Sequence, residues 1–143
     1  DINDEILDFQ KEMYSYPNLK YFKCYAEDID KCIKHFDITD KNIILFSYGS
    51  LQYVNPFFLE EFFLKLKNYK NLKLFINEPV SLSFIDNSDL ISAYRGNTSF
   101  SHRYDSYAKN SNLNIIENQV IRPYSPDDKQ NHDTGHFDLY IKI

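Results

Sequence analysis

Residues 42–77 read NIILFSYGSLQYVNPFFLEEFFLKLKNYKNLKLFIN and predict a strand, a helix and a second strand in immediate succession. The first strand, Asn42–Ser47, is an unbroken apolar run, which is typical of a strand buried on both faces of a parallel sheet. The second strand, Leu72–Asn77, is followed by Glu78-Pro79, where we expect it to end. This order of elements predicts two parallel strands joined by a helical crossover.

The segment between the two strands has the periodicity of a strong amphipathic helix. Pro56 stands where the first turn of a helix tolerates proline, because that position needs no backbone N–H donor. Apolar side chains then recur at helical spacing, and charged side chains fall largely off their face. The predicted apolar face consists of Phe58, Leu59, Phe62, Phe63, Leu66 and Tyr69.

The residues N-terminal to this unit predict a helix, a strand and a weaker helix. The first helix begins at Asn3, whose side chain suits an N-cap, and ends before Pro17. A short strand covers Leu19–Tyr25, and the loop Ala26–Asp28 leads from it into the weaker helix over Ile29–Phe36. Strands and helices therefore alternate up to the central unit.

The C-terminal part of the chain is less regular at first and then predicts two strands. Residues 80–100 are rich in Ser, Asn and Asp, and a helix is expected over Ser101–Asn110. Strands are predicted at Leu113–Tyr124 and His136–Ile143, with the polar loop Ser125–Gly135 between them. Because no helix separates these two strands, we expect an antiparallel hairpin at one edge of the sheet.

The complete pattern predicts one α/β domain over residues 1–143. A chain of 143 residues suits a single domain, and a hydrophobic content of 43% can fill a sizeable core. We predict a doubly wound, mostly parallel sheet with helices on both faces and a C-terminal antiparallel hairpin.

Composition argues against several classes of partner. The net charge of −5 argues against nucleic acid, whose binding needs a basic surface, and no apolar run approaches the length of a membrane span. Cys24 and Cys32 are too few for a disulfide framework, so free thiols and a cytoplasmic location are expected. The histidines near the C-terminus match no zinc spacing, so no metal is expected. The oligomeric state is not defined by these features.

Three segments resemble the working loops of class I (seven-stranded, Rossmann-like) S-adenosylmethionine-dependent methyltransferases. They are Asp1–Asn3 before the first helix, Cys24–Asp28 at the end of the predicted strand, and Phe46–Pro56 with its Leu-Gln-Tyr step. A parallel α/β sheet that finishes in a long antiparallel hairpin is also similar to this family. The resemblance implies S-adenosyl-L-methionine as the cofactor.

The resemblance implies six cofactor-binding residues, and ligands of open α/β sheets bind outside the C-terminal ends of the strands. Asp1 is expected to accept hydrogen bonds from the ribose hydroxyls, because one carboxylate can accept from two adjacent donors. The other five are Ala26, Glu27 and Asp28 at the adenine, and Ser47 and Tyr48 beneath the methionine part of the cofactor. Simpler roles also stay open. Asp1 can be a solvated acid, Glu27 and Asp28 can cap the helix that follows them, and Tyr48 can be a core aromatic residue.

Five residues are candidates for catalysis and acceptor binding. His102 is the candidate base because imidazole titrates near neutral pH, and Glu78 stands at a strand end on the same rim. Gln52 and Tyr53 are expected to line the acceptor pocket, and Arg103 to anchor an anionic acceptor. Relatives with a Leu-Gln-Tyr step at this place look like sugar or surface-glycan methyltransferases. We therefore expect methylation, most simply O-methylation, of a small molecule or saccharide.

One departure from the family is large. Its first strand and Gly-rich turn are not matched in this chain and should precede Asp1, so we expect the natural protein to extend beyond these residues. The departure also favours an alternative function, a non-catalytic binding or assembly domain with a degenerate methyltransferase fold. A nicotinamide-cofactor domain fits less well, because its sheet usually ends without a terminal hairpin.

Overall fold

The computed structural model describes residues 3–122 and 133–143, so the predicted ribose ligand Asp1 lies outside the described residues. It contains two sheets, and helices pack against the larger one. The helices are α1 (Asp4–Met13), α2 (Ile29–His35), α3 (Pro56–Leu66), α4 (Leu82–Asn87) and α5 (Tyr104–Asn110). The strands are β1 (Ile43–Tyr48), β2 (Leu72–Ser81), β3 (Ser92–Gly96), β4 (Ser99–His102), β5 (Asn114–Ile121) and β6 (Thr134–Lys142). Short 3₁₀ helices cover Ala26–Asp28 and Leu51–Tyr53.

The main sheet has the strand order β1-β2-β6-β5, and β3 and β4 form a separate hairpin. The pair β1–β2 is parallel, as predicted, whereas β2–β6 and β5–β6 are antiparallel. The C-terminal hairpin is therefore confirmed, but the prediction of a mostly parallel sheet is wrong. The reason is that β6 inserts between β2 and β5, so two of the three strand pairs are antiparallel.

The predicted strand Leu19–Tyr25 is not a strand in the structure. Within the described residues, this segment has no ladder partner in either sheet. The Tyr21 hydroxyl instead donates to the carbonyl groups of Gln10 and Tyr14, at 3.0 and 2.9 Å, which ties the segment to the end of α1. Its apolar residues predicted a strand, but strand formation also needs an available neighbour.

Helix α3 covers one face of the main sheet. The Asn55 side chain caps α3 by accepting from the Phe57 N–H at 3.0 Å. The apolar stripe of α3 is buried, with the exception of Phe58, which is 42% exposed. The buried members are Leu59, Phe62, Phe63 and Leu66 in the helix and Tyr69 just beyond it. The amphipathic prediction is therefore confirmed for the centre of the helix.

The opposite face of the main sheet is open across β1. Ile44, Phe46 and Tyr48 alternate along this strand, and their side chains are 68%, 70% and 65% exposed. Phe75 of β2 and Tyr140 of β6 continue the same face, and their rings stack at 4.4 Å. The prediction of helices on both faces is thus not met within the described residues, because the helices that pack on the core lie on one side.

Strand β2 continues through Pro79, although Glu78-Pro79 was expected to end it. The Asn77 carbonyl accepts from the Gly49 N–H at 3.1 Å, so the backbone of Asn77 faces β1. Backbone groups of alternate residues face the same side of a strand, so the nitrogen of Pro79 also faces β1, beyond its last residue. The missing N–H therefore interrupts no ladder hydrogen bond with β6.

Residues 80–100, which had no clear prediction, form α4 and most of the β3–β4 hairpin. The expected helix at Ser101 begins instead at Tyr104, because residues 99–102 belong to β4. The weaker helix predicted from Ile29 is confirmed as α2. Among the described residues, no helix is both long and apolar enough to cross a membrane.

Gly135 on β6 offers a test of the packing between the terminal hairpin and α4. A Cβ atom at this position would lie 2.5 Å from Cδ2 of Leu82 and 2.8 Å from the carbonyl oxygen of Ile121. A side chain can move, but the carbonyl belongs to the paired strand. Gly135→Ala should therefore lower the free energy of unfolding by about 1–3 kcal/mol in urea denaturation. Lys142→Ala, an exposed position on the same strand, is the control, and equal stability of the two variants would contradict the expected clash.

Candidate functional site

The carboxylate of Glu78 is fully buried just beyond the last residue pair that joins β1 and β2. Its Oε1 accepts from the Ser47 hydroxyl at 2.5 Å and from the backbone N–H groups of Ser50 and Leu51, both at 3.0 Å. Its Oε2 accepts from the backbone N–H of Gln52 at 3.2 Å. Four donors thus compensate for the removal of this charge from water.

These contacts fix the turn that follows β1. Gly49 has φ +65°, a left-handed conformation that suits glycine, and its carbonyl accepts from the Gln52 side chain at 2.8 Å. The Ser47 hydroxyl points inward to Glu78, whereas the Tyr48 ring stays exposed on the open face of the sheet. Of the predicted residues, the structure therefore brings Ser47, Glu78 and Gln52 together, with Tyr48 beside them.

The β3–β4 hairpin packs against the same turn. Arg95 of β3 donates from Nη2 to Oε1 of Gln52. Gln52 therefore connects Glu78, which holds its backbone, to Arg95, which holds its side chain. Neighbouring Tyr53 is exposed and faces solvent beside this link. Arg95 was missed at the sequence level, because it lies in a stretch without periodicity or a recognisable motif.

His102 is the last residue of β4 in this hairpin and is fully buried. Its Nδ1 shares a hydrogen bond of 2.6 Å with the Ser92 hydroxyl, which also contacts the Tyr107 hydroxyl at 2.7 Å. Burial lowers the pKa of His102 to about 4, and the charge of Arg95 adds a smaller effect in the same direction. In this arrangement His102 is neutral near pH 7 and joins β3 to β4 and α5, so its role as a base stays a prediction.

The buried His102 should make the protein less stable in mild acid. Its folded pKa of about 4 lies below the value of 6.5 for a free histidine, so the unfolded chain binds more protons between these values. Stability from this group is present above pH 6.5 and is lost as the pH falls toward 4. We expect the urea midpoint of His102→Gln to vary less between pH 7 and pH 4.5 than that of the wild type. Parallel pH profiles of the two proteins would contradict this.

The predicted adenine site lies elsewhere in the structure. Lys65, in the last turn of α3, donates to the backbone carbonyl of Glu27, and Asp28 forms an ion pair with Lys31 at 2.9 Å. Ala26 packs against the edge of the core. The 11 residues of α3 span about 16 Å, and its N-terminal end adjoins the Leu51–Tyr53 turn. The structure therefore does not bring Ala26, Glu27 and Asp28 to the turn after β1.

The physical reason for this separation is the missing strand. The prediction assumed that residues 19–25 run as a strand and deliver the next loop to the same rim as Ser47. Because residues 19–25 are not part of the sheet, their C-terminal end does not lie among the strand ends that form the rim with Ser47. Cofactor contacts of these three residues therefore stay a prediction.

The guanidinium of Arg103 holds α4 in place through its Nε and Nη2 atoms. Its guanidinium donates to the carbonyl groups of Ile85 and Ser88 at 2.7 and 2.6 Å, and more weakly to those of Phe84 and Leu90. It also lies 5.3 Å from the centre of the Phe84 ring, within cation–π distance. In this arrangement it stabilises the connection between α4 and β4, and its role as acceptor anchor stays a prediction.

Comparison with known proteins identifies the class of fold. No protein-family model and no curated protein sequence matches the chain. A solved structure of a protein provisionally classed as a methyltransferase, from Thermobifida fusca, matches with a TM-score of 0.59 at 15% identity. The match covers 100% of this chain but 62% of that protein, so the chain spans less than two thirds of its length. A SAM-dependent methyltransferase from Methanosarcina mazei matches with a TM-score of 0.56 at 10% identity, covering 100% and 80% of the two chains.

These similarities confirm the resemblance at the level of the fold. The chain has a methyltransferase-like α/β fold with a mixed sheet and a terminal hairpin. At 15% and 10% identity, the likeness concerns the fold and does not extend to the activity.

Proposed function

We propose that the protein is an S-adenosylmethionine-dependent methyltransferase that methylates an oxygen of a small-molecule or saccharide acceptor. The observation that carries the proposal is the turn after β1, which lies at the C-terminal end of a parallel strand pair in a methyltransferase-like fold. Ligands of open α/β sheets bind at such strand ends. A buried carboxylate with four hydrogen bonds holds this turn rigid, as a binding site requires.

The residues of the turn fit one part of the cofactor. Tyr48 offers an exposed aromatic ring, and Gly49 has no side chain to hinder a close approach. The N–H groups of Ser50 and Leu51 are already bonded to Glu78, so Tyr48 and Gly49 are the residues we expect to contact the cofactor. When bound, S-adenosylmethionine supplies an electrophilic methyl group. Asp1 at the ribose, Ala26, Glu27 and Asp28 at the adenine, and Ser47 beneath the methionine part remain part of the proposal.

The chain's own contribution to the reaction is orientation. A rigid turn that contacts both the cofactor and the acceptor lowers the entropic cost of aligning these two molecules for the reaction. Gln52 reaches from this turn to the β3–β4 hairpin, and the exposed Tyr53 stands next to it, so we expect these two residues to line the acceptor pocket. His102 and Glu78 remain the candidate proton acceptors, and either would have to become accessible to the acceptor hydroxyl.

Binding of S-adenosylhomocysteine tests this function. We expect this demethylated cofactor to raise the melting temperature and to bind measurably by calorimetry. Tyr48→Ala should weaken binding about fivefold, since one well-packed aromatic ring contributes about 1 kcal/mol. Tyr94→Ala removes an equally exposed ring from the β3–β4 hairpin and serves as the control. No heat and no thermal shift with the wild-type protein would refute the proposal.

A non-catalytic binding or assembly domain is the second candidate. The observation in its favour is that both candidate bases, His102 and Glu78, are fully buried. This candidate predicts that the protein binds S-adenosylhomocysteine weakly or not at all and transfers no labelled methyl group to any saccharide. Transfer of label to an acceptor would exclude it.

A further inference from the structure

Arg95 differs from the other arginines in how little of its hydrogen-bonding capacity is used. Arg122 forms two hydrogen bonds to the Asp86 carboxylate, at 3.1 and 2.6 Å, and Arg103 contacts four carbonyl groups. Within the described residues, Arg95 makes one hydrogen bond, to the Gln52 side chain. A guanidinium has five N–H donors, so most of those on Arg95 remain available.

Arg95 also lacks a counter-ion among residues 3–122 and 133–143, where no carboxylate lies within 4 Å of its guanidinium. The acid on which its charge acts, Asp133, is already engaged, and so is Glu78, which binds the backbone of the same Gln52. Glu78 is surrounded by four donors, and Asp133 accepts from the Ser81 hydroxyl at 2.6 Å and from the Ser83 N–H at 2.5 Å. A half-buried cation without an anionic partner in the described residues is costly, and an incoming anion would relieve that cost.

The surroundings of Arg95 add a second observation. Its charge acts on Tyr104, whose pKa is raised well above the ordinary value, first by burial and then by the nearby charge of Glu78. The Tyr104 hydroxyl is completely buried, and it has no hydrogen-bond partner in the described structure. A buried donor without a partner in the described residues therefore lies within electrostatic range of a cation with spare donors.

We propose that Arg95 binds an oxyanion of the methyl acceptor, which makes the acceptor an acidic rather than a neutral saccharide or small molecule. This inference rests on the proposed function. Arginine suits the task because its planar donors match the two oxygens of a carboxylate or phosphate. Gln52 holds one nitrogen of the guanidinium and thereby fixes the orientation of the rest. The anion is then held next to the turn that carries Tyr48 and Gly49.

Matched sugars test this site directly. We would titrate the protein at low salt with D-glucuronate, D-glucose 6-phosphate and D-glucose, and follow binding by NMR chemical shifts. At least one acidic sugar should bind about tenfold more tightly than glucose. Preference for glucuronate identifies a carboxylate site, and preference for the phosphate ester identifies a phosphoryl site.

Three variants separate Arg95 from general anion attraction. Arg95→Gln should abolish the preference for the acidic sugar, and Arg95→Lys should retain part of it because the charge remains. Arg122→Gln removes the same charge from an exposed ion pair and should leave the preference unchanged. Equal binding of acidic and neutral sugars by the wild type, or an equal loss in Arg95→Gln and Arg122→Gln, would overturn the proposal. Thermal denaturation confirms folding, and if Arg95→Gln is unfolded, full retention of the preference by a folded Arg95→Met would overturn it equally.

The same samples distinguish this inference from the proposed function. Binding of S-adenosylhomocysteine without any dependence of anion binding on Arg95 refutes the oxyanion site and leaves the methyltransferase proposal intact. Anion binding that depends on Arg95, in a protein that does not bind S-adenosylhomocysteine, refutes the methyltransferase proposal and retains the site.

Discussion

Glu78→Gln is expected to lower the free energy of unfolding by about 2–4 kcal/mol. The carboxylate accepts four hydrogen bonds in a site with no exposure to solvent. An amide of the same size keeps one acceptor oxygen and turns the other position into a donor, which then faces the N–H of Gln52. Each buried donor left without a partner costs about 1–3 kcal/mol.

Equilibrium urea denaturation measures this loss. Glu117→Gln makes the same chemical change at an exposed position on β5 and should alter stability by less than about 0.5 kcal/mol. Faster amide hydrogen exchange at Ser50, Leu51 and Gln52 in Glu78→Gln would connect the loss to the turn. A variant as stable as Glu117→Gln would mean that the carboxylate does not hold the turn in solution.

Phe63→Ala should destabilise the protein by about 3–5 kcal/mol, the range for truncating a fully buried phenylalanine. Phe63 is completely buried beneath the main sheet, and its ring stacks on Tyr107 of α5 at 5.8 Å. The substitution therefore removes a contact between two helices as well as apolar burial, and leaves a cavity that the sheet cannot fill.

The matched control for this substitution lies on the same helix. Phe57 is 62% exposed, so Phe57→Ala should cost less than about 1 kcal/mol. The difference between the two urea midpoints isolates the effect of burial from that of helix propensity, because both sites are in α3. Similar losses in both variants would indicate that α3 does not pack on the sheet as described.

The central unit of the fold was predictable because its elements carry their own local information. The apolar run at Ile43 and the periodic face of α3 specify a strand and an amphipathic helix without reference to distant residues. The expected burial of that strand on both faces is wrong, because β1 lies at the edge of the sheet and exposes Ile44, Phe46 and Tyr48. The terminal hairpin was predictable for a related reason, since two strands without an intervening helix pair most simply with one another. By contrast, Leu19–Tyr25 has strand-forming residues but no neighbouring strand in the described structure.

The candidate site was predictable in part. Ser47, Glu78 and Gln52 lie in or just beyond the predicted C-terminal ends of two parallel strands, so strand polarity alone predicted that they share one rim of the sheet. Their roles were not predictable, because a carboxylate that faces substrate and one that binds backbone N–H groups look the same in a sequence. Arg95 and Arg103 illustrate the same difficulty. Only the structure shows that the Arg103 guanidinium binds several backbone carbonyl groups, whereas that of Arg95 keeps spare donors.

The sequence by itself determined which segments form the helices α1 to α3 and the strand pair β1–β2, because spacing, capping residues and apolar runs act over a few neighbouring residues. Only the tertiary structure decided that β6 lies between β2 and β5 and that Glu78 is buried against the Gln52 turn. It also decided that, in the part of the chain that the structure describes, one face of β1 stays exposed. These features depend on contacts between residues far apart in the chain. Which of these long-range contacts form depends on all segments of the chain at once, because several segments could pair with the same neighbour. A local sequence pattern does not contain this information.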